Sequence, residues 1–350
     1  MIQALKNIRI LDFTKLLPGP LGTQLLSAMG ADVIKIEKSD SRDYIRFQPP
    51  FIDGVSTLYA ALNHNKTEII LDFNTDEGNT KLWEEVEKAD VLIEQFRPGV
   101  MKHWGLDYET LKSINPKLIY ISLSGYGQDG PHAKEAGHDL NYLAISGVLD
   151  LIRDEKGKPV IPGIQIADIA GGAYLLQSTC LAAVLERHNT GKGMYLDISM
   201  TDGLLPLMVF PLSQYWGGFD QRKMQILSGG LVNYNVYESA DGRWVALGAL
   251  EMKFWNAFCM ALNKPEWKRE ELLELSVHVF PKEELELLFK TRNRDEWAVW
   301  AEGKDLCLTP VIELQELEDS QQIRSGNFIR TISSASKDLK YILNPIRILK

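Results

Sequence analysis

Cysteine is scarce in this 350-residue chain: Cys180, Cys259 and Cys307 are odd in number and far apart. That spacing excludes a disulfide framework and a cysteine metal site, and it predicts a reducing, cytoplasmic setting. Basic charge is short as well. A net charge of −9 argues against a general nucleic-acid binder, which carries a basic field. It leaves room for a local basic patch around a phosphorylated small molecule. No run of about 18 apolar residues stands out, so no membrane span is expected. Residues 1–7 are too short and mixed for a signal peptide. Internal repeats and low-complexity tracts are also missing. What is there is an ordinary globular balance, 45% hydrophobic and 24% charged, over a length that predicts about two domains.

Taken in order, Ile8–Phe13 predicts a strand, Leu21–Met29 a helix ended by Gly30, and Ala31–Glu37 a second strand. This opening fits a parallel sheet with right-handed crossovers. Thr75–Lys88 predicts an amphipathic helix. Asp90–Phe96 and Leu118–Ser124 predict two more strands, with helical pieces near Val100–Trp104 and Tyr108–Ile114 between them. The first half is therefore α/β and doubly wound. Asp168 opens a long helix, Ile169 to about Arg187, and Tyr195–Ser199 predicts a further strand. Leu204–Gly230 reads as an apolar linker, in which Leu207, Met208, Phe210, Tyr215 and Trp216 have core packing as their ordinary role and an acyl path as the functional one. Asp241-Gly242 sits in the turn of a hairpin, Tyr234–Ser239 with Arg243–Leu247. Helices follow near Met252–Leu262, Glu283–Lys290 and Arg294–Ala301. The expected division is a large domain over 1–203, a linker over 204–230, a small α+β domain over 231–302, a second linker over 303–314, and a strand-bearing C-terminal segment, 315–350, returning to the large domain.

Gly125-Tyr126-Gly127-Gln128-Asp129-Gly130 has the spacing of a dinucleotide fingerprint. That fingerprint needs a helix whose N-terminus receives the pyrophosphate, and Pro131 with no apolar period follows here, so NAD is rejected. Beyond it, Gly137-His138-Asp139 begins a short apolar helix. The positive end of a helix favours a neutral, basic His138 and an ionised Asp139. Taken singly, His138 reads as a structural histidine, Asp168 as an N-cap and Glu251 as a residue where a strand gives way to a helix. Lys38, Arg42, Arg46, Lys66, Arg97 and Lys102 lie near predicted strand ends, where open α/β sheets bind ligands. They are candidates for ligand phosphates or for solvated surface charge.

These stretches together resemble the family III CoA-transferase and α-methylacyl-CoA racemase group over nearly the whole chain. The resemblance is carried by IRILDFTKLLPGPLGTQLLSAMGADVIKIEK, DVLIEQFRPGVMKHWGLDYETL, PKLIYISLSGYGQDGP, GHDLNYLAISGVL, DIAGG, TGKGMYLDISMTDG, ADGRWVALGALEMKFW and LCLTPVIEL. Transferases of the group usually carry Gly-Tyr-Asp, whose aspartate is the nucleophile. Racemases carry Gly-His-Asp before Ile/Leu-Asn-Tyr, an aspartate before a Gly-Gly helix and a glutamate after the hairpin. Gly137 to Tyr142, Asp168 and Glu251 fill all three racemase positions. The resemblance implies a racemase or epimerase of 2-methyl-branched acyl-CoA esters, with His138 serving the S-face and Asp168 the R-face, and Glu251 orienting His138. Asp139 is retained, so CoA transfer through an Asp139 anhydride is the alternative reading. It further implies coenzyme A as part of the substrate, with no prosthetic group and no metal, held near Lys38, Leu71, Asp72, Phe73, Asn74, Arg97, Gly137, Asn141 and Tyr142. Lys38 stands where racemases often have arginine. The implied architecture is an interlocked homodimer with a Rossmann-like large domain. Adjacent helical residues point about 100° apart, so if His138 faces the reacting carbon, Asp139 is expected to support it. The N–H of Asp139 is expected to hold the enolate oxygen. A helix N-terminus lowers the Asp168 pKa, and burial has to raise it again for Asp168 to hold a proton.

Overall fold

The computed structural model describes residues 2–154, 156–219 and 226–347. It divides into two compact units, residues 1–208 with 321–350, and residues 209–320.

The first unit is built on short, nearly continuous apolar runs, the pattern of strands buried on both faces. Its strands are β1 (Arg9–Asp12), β2 (Asp32–Lys38), the small hairpin β3 (Phe51–Ile52) and β4 (Val55–Ser56), then β5 (Thr67–Leu71), β6 (Val91–Glu94), β7 (Ile119–Ser124) and β8 (Met194–Ser199). Six of them form one sheet in the order β5-β2-β1-β6-β7-β8, every pairing parallel. Counted along the chain this is the order 3-2-1-4-5-6 of doubly wound nucleotide-binding sheets. Leu11, Ile34, Leu92 and Tyr120 meet Leu82, Val86 and Leu111 in the core of one face.

Helices start where the sequence supplies caps. Pro18 occupies the first turn of α1 (Pro18–Ser27), where a missing N–H costs nothing. Ser56 caps α2 (Thr57–Asn63) and Thr75 caps α3 (Asp76–Lys88) through the Gly78 N–H. After α4 (Val100–His103), Asp107 caps α5 (Tyr108–Ile114). Next come α6 (Asp139–Ile145) and α7 (Leu175–Thr190), the latter closed by Gly191 at φ 72°. The expected helix after Asp168 differs in kind, because Ala167–Tyr174 is π-helical and only then passes into α7. By length and composition the continuous helix Ala167–Thr190 is apolar enough to cross a membrane, which the search for long apolar runs missed. Within this unit it buries Ala167, Gly171, Gly172, Leu176 and Cys180. The antiparallel pair β12 (Ile329–Ile332) and β13 (Leu339–Ile342) also belongs here. It replaces the single strand expected over 340–349, of which 348 and 349 lie outside the described residues.

The second unit carries β9 (Tyr234–Glu238), β10 (Trp244–Gly248) and β11 (Leu308–Pro310) in one antiparallel sheet. The hairpin turns through Gly242 at φ 76°. Trp255, Phe258, Phe289 and Trp297 fill its core. Both buried indoles donate to backbone carbonyls, Trp255 to Trp267 at 3.0 Å and Trp297 to Phe289 at 2.9 Å. Around them lie α9 (Met252–Ala261), α10 (Lys282–Phe289) and α11 (Arg294–Ala301), and α8 (Val209–Trp216) opens the unit.

Three boundaries differ from the sequence reading. The expected linker 303–314 contains β11. Residues 315–320 belong with the second unit because the Arg294 guanidinium binds both oxygens of Glu316, at 2.6 and 2.8 Å. The expected linker 204–230 is helical over Asp202–Met208 and Val209–Trp216, and its positions 220–225 lie outside the described residues. Core packing does not hold for most of its apolar residues: Met208 is buried, whereas Phe210 is 63% and Trp216 74% exposed.

Candidate active site

Parallel order leaves a crevice where neighbouring connections run to opposite faces, here between β1 and β6. Residues following the carboxyl ends of β1, β6, β7 and β8 line a cavity of about 190 Å³ there: Leu16 and Pro18, Gln95 to Arg97, Gly125 and Tyr126, and Met200. Ser124, Gly137, His138, Tyr142 and Asp168 also line it, with Ala133 and Glu135.

The turn after β1 that supplies Leu16 and Pro18 is held by buried charge. The Asp12 carboxylate accepts from Lys66 at 2.9 Å and from the Thr23 hydroxyl at 2.7 Å. Lys66 also donates to Pro20 O and Asn63 Oδ1, and Lys35 donates to Thr14 O at 2.7 Å. Asp43 accepts from the Leu16 N–H at 3.1 Å. The network holds the turn after β1, including Leu16 in the left-handed region at φ 63°. Burial acts to raise the Asp12 carboxyl, but Lys66 and Lys35 outweigh it and hold Asp12 well below the usual carboxylate range. Burial pushes the Lys66 ammonium down to about 8.

On β6, Glu94 turns back to accept the Phe96 N–H at 2.7 Å, and burial lifts its carboxyl to about 7. Gln95 accepts the Gly19 N–H at 3.0 Å, tying the turn after β6 to the start of α1. Neither contact was legible as a motif.

His138 is the exposed N-cap of α6, with its backbone N–H held by Asn141 Oδ1 at 3.1 Å. Tyr142, one turn on, lies beneath Gly137 and donates to its carbonyl at 2.6 Å. A Cβ on Gly137 would stand 2.6 Å from that ring, so only glycine admits it. Asp139 is not part of the cavity lining; its Oδ1 accepts the Asp168 N–H of the π-helical turn at 3.0 Å. Burial, and second the Asp139 charge, push the Asp168 carboxyl up to about 7. The opposition between helix terminus and burial is thus resolved in favour of a carboxyl able to hold a proton near neutrality. Gly171 presses on the Met200 carbonyl, 2.4 Å from a built Cβ, and so seats this turn against the end of β8.

Of the other expected residues, Arg97 lines the cavity; its carbonyl accepts the Val100 N–H at 3.2 Å. Lys38 and Leu71 pair across β2 and β5, and Lys38 is engaged by Asp40 at 2.6 Å. Asp72 and Asn74 form a local turn at 2.9 Å, beside Phe73, whose ring contacts Trp104 at 5.6 Å. None of these five lines the cavity. Arg42 and Arg46 are bound to Glu37, at 3.3 and 3.0 Å, and Lys66 is fully buried, so these three are withdrawn as phosphate ligands. Glu251 lies in the second unit as the exposed N-cap of α9. The 125–130 segment forms turns with no helix before Asp139, and the Gln128 N–H is held by Asp197 at 2.7 Å.

The comparisons agree with this architecture. A protein from Brucella suis described as of the CAIB/BAIF family superposes with a TM-score of 0.85 at 26% identity, over 99% of this chain and 93% of that one. Human alpha-methylacyl-CoA racemase is 33% identical over 93% of this chain and 83% of its own length. Human succinyl-CoA:glutarate CoA-transferase is 30% identical over 94% and 76%. The model of CoA-transferase family III matches residues 5–350, and the chain belongs to that family.

Proposed function

We propose that the protein is a racemase or epimerase of 2-methyl-branched acyl-CoA thioesters, moving the proton on the carbon beside the thioester carbonyl. Such a transfer needs one base on each face of that carbon. The reading is carried by one observation: His138 and Asp168 line the same cavity, while Asp139, outside that lining, accepts the Asp168 N–H through one oxygen. One group removes the proton and the other returns it from the opposite side. Asp168, pushed up to about 7, is suited to both halves of the cycle. Arg97 is proposed to meet the negative CoA moiety. On resemblance alone, Glu251 orients His138 and the assembly is an interlocked homodimer; the scattered cysteines support a cytoplasmic setting. Identity does not discriminate, since a racemase and a CoA-transferase lie equally near. The transferase reading is kept because Asp139, its nucleophile, is present.

The test is α-carbon exchange in D2O with a 2-methylacyl-CoA and no acceptor acid. Exchange is expected, and His138→Ala should lower it by about 10²–10⁴-fold, the usual share of general acid–base catalysis. Absence of exchange, together with an acyl group trapped on Asp139 by hydroxylamine, would establish the transferase instead.

A further inference from the structure

Proton removal beside a thioester leaves an enolate, and the sequence reading gave its oxygen to the Asp139 N–H. The cavity wall itself also carries a buried side-chain donor. Ser124, the last residue of β7, lines that cavity. It is 92% buried by its 8% exposure, and its hydroxyl has no hydrogen-bond partner. Its backbone is fixed, because its carbonyl accepts the Met200 N–H at 2.8 Å. Two nearby hydroxyls are engaged elsewhere: Tyr142 donates to Gly137 O, and Thr201 donates to Gly125 O at 2.7 Å.

A buried, unpaired hydroxyl costs about 1–3 kcal/mol, and a native core normally pairs it. A serine hydroxyl is a free rotor with one proton to give, so it turns to an acceptor that enters the cavity without moving backbone. We infer that Ser124 is a catalytic residue that donates its hydroxyl proton in a hydrogen bond to the thioester oxygen as that oxygen becomes an enolate. No proton is transferred in the step. The α-proton goes to His138 or Asp168, and the electron pair it leaves is held on the oxygen that Ser124 contacts. The inference rests on the proton-transfer reading above.

Ser124→Ala deletes one oxygen and leaves no gap larger than that atom. Loss of a single donor to a developing oxyanion costs about 10²–10³ in kcat. The expected result is therefore a fall of about 100-fold in the maximal rate of deuterium exchange, with KM for the acyl-CoA little changed. The melting temperature should be the same or higher, because an unsatisfied buried group has gone. Ser124→Thr, which keeps the hydroxyl, should restore most of the rate. Wild-type exchange that survives in Ser124→Ala overturns the role of Ser124 and leaves the racemase reading intact. A wild-type protein with no exchange overturns the racemase reading itself. A rate loss accompanied by a lowered melting temperature, and not restored by threonine, makes Ser124 a packing residue and overturns the inference.

Discussion

At the scale of the residue, the candidate site is governed by how two carboxylates divide their work. Asp139 Oδ1 accepts the Asp168 N–H, and its charge acts with burial to push the Asp168 carboxyl up to about 7. Proton removal by Asp168 requires its ionised form, so that arm of the exchange reaction should rise with pH through about 7. Asp139→Asn removes the second cause and leaves burial, so the limb should move to lower pH; a pH–rate profile with an unmoved limb would break the link. The sign for stability is the reverse of the usual carboxylate. The folded state keeps the Asp168 proton to higher pH than the unfolded chain, so stability falls as pH rises from about 4 toward 7. Asp168→Asn should accordingly stabilise the protein at pH 8 and not at pH 4, as read from urea midpoints.

Among the elements, the turn between β1 and α1 depends on charges sealed under it. Lys66→Met leaves Asp12 buried without its cation and should cost about 3–5 kcal/mol in urea unfolding. Converting Asp12 to Leu in the same molecule should recover much of that loss, and a strictly additive double variant would deny the coupling. The sequence made the sheet's apolar runs and the Thr75-capped helix legible, because four-residue hydrophobic stretches and caps are local signals. Edge strand β5 escaped it: Thr67, Glu68 and Ile70 are exposed, and neither alternation nor a continuous apolar run marks it. The exposed apolar residues of 205–216 were misread for the converse reason, since hydrophobicity alone does not say what covers it. His138 and Asp168 stand 30 positions apart, and only the family resemblance joined them. Gln95, Glu94 and the orphaned Ser124 hydroxyl become visible only once strand ends are brought side by side.

For the whole molecule, the second unit has an aromatic core of its own, in which Tyr237 stacks on Phe289 at 4.6 Å and Trp297 meets Trp300 edge-on at 5.2 Å. Trp297→Ala should cost about 3–5 kcal/mol, seen as faster hydrogen exchange at the β9 and β10 amides; a loss under 1 kcal/mol would contradict the packing described. The first unit distributes its chemistry differently. Both proposed bases, the π-helical turn and the Asp139 contact lie on the single excursion between neighbouring strands β7 and β8, residues 125–193. The acid and the base therefore travel as one cassette. An exchange of that one crossover between family members would carry both proposed bases, while the buried charges that hold the turn after β1 stayed behind as a common chassis.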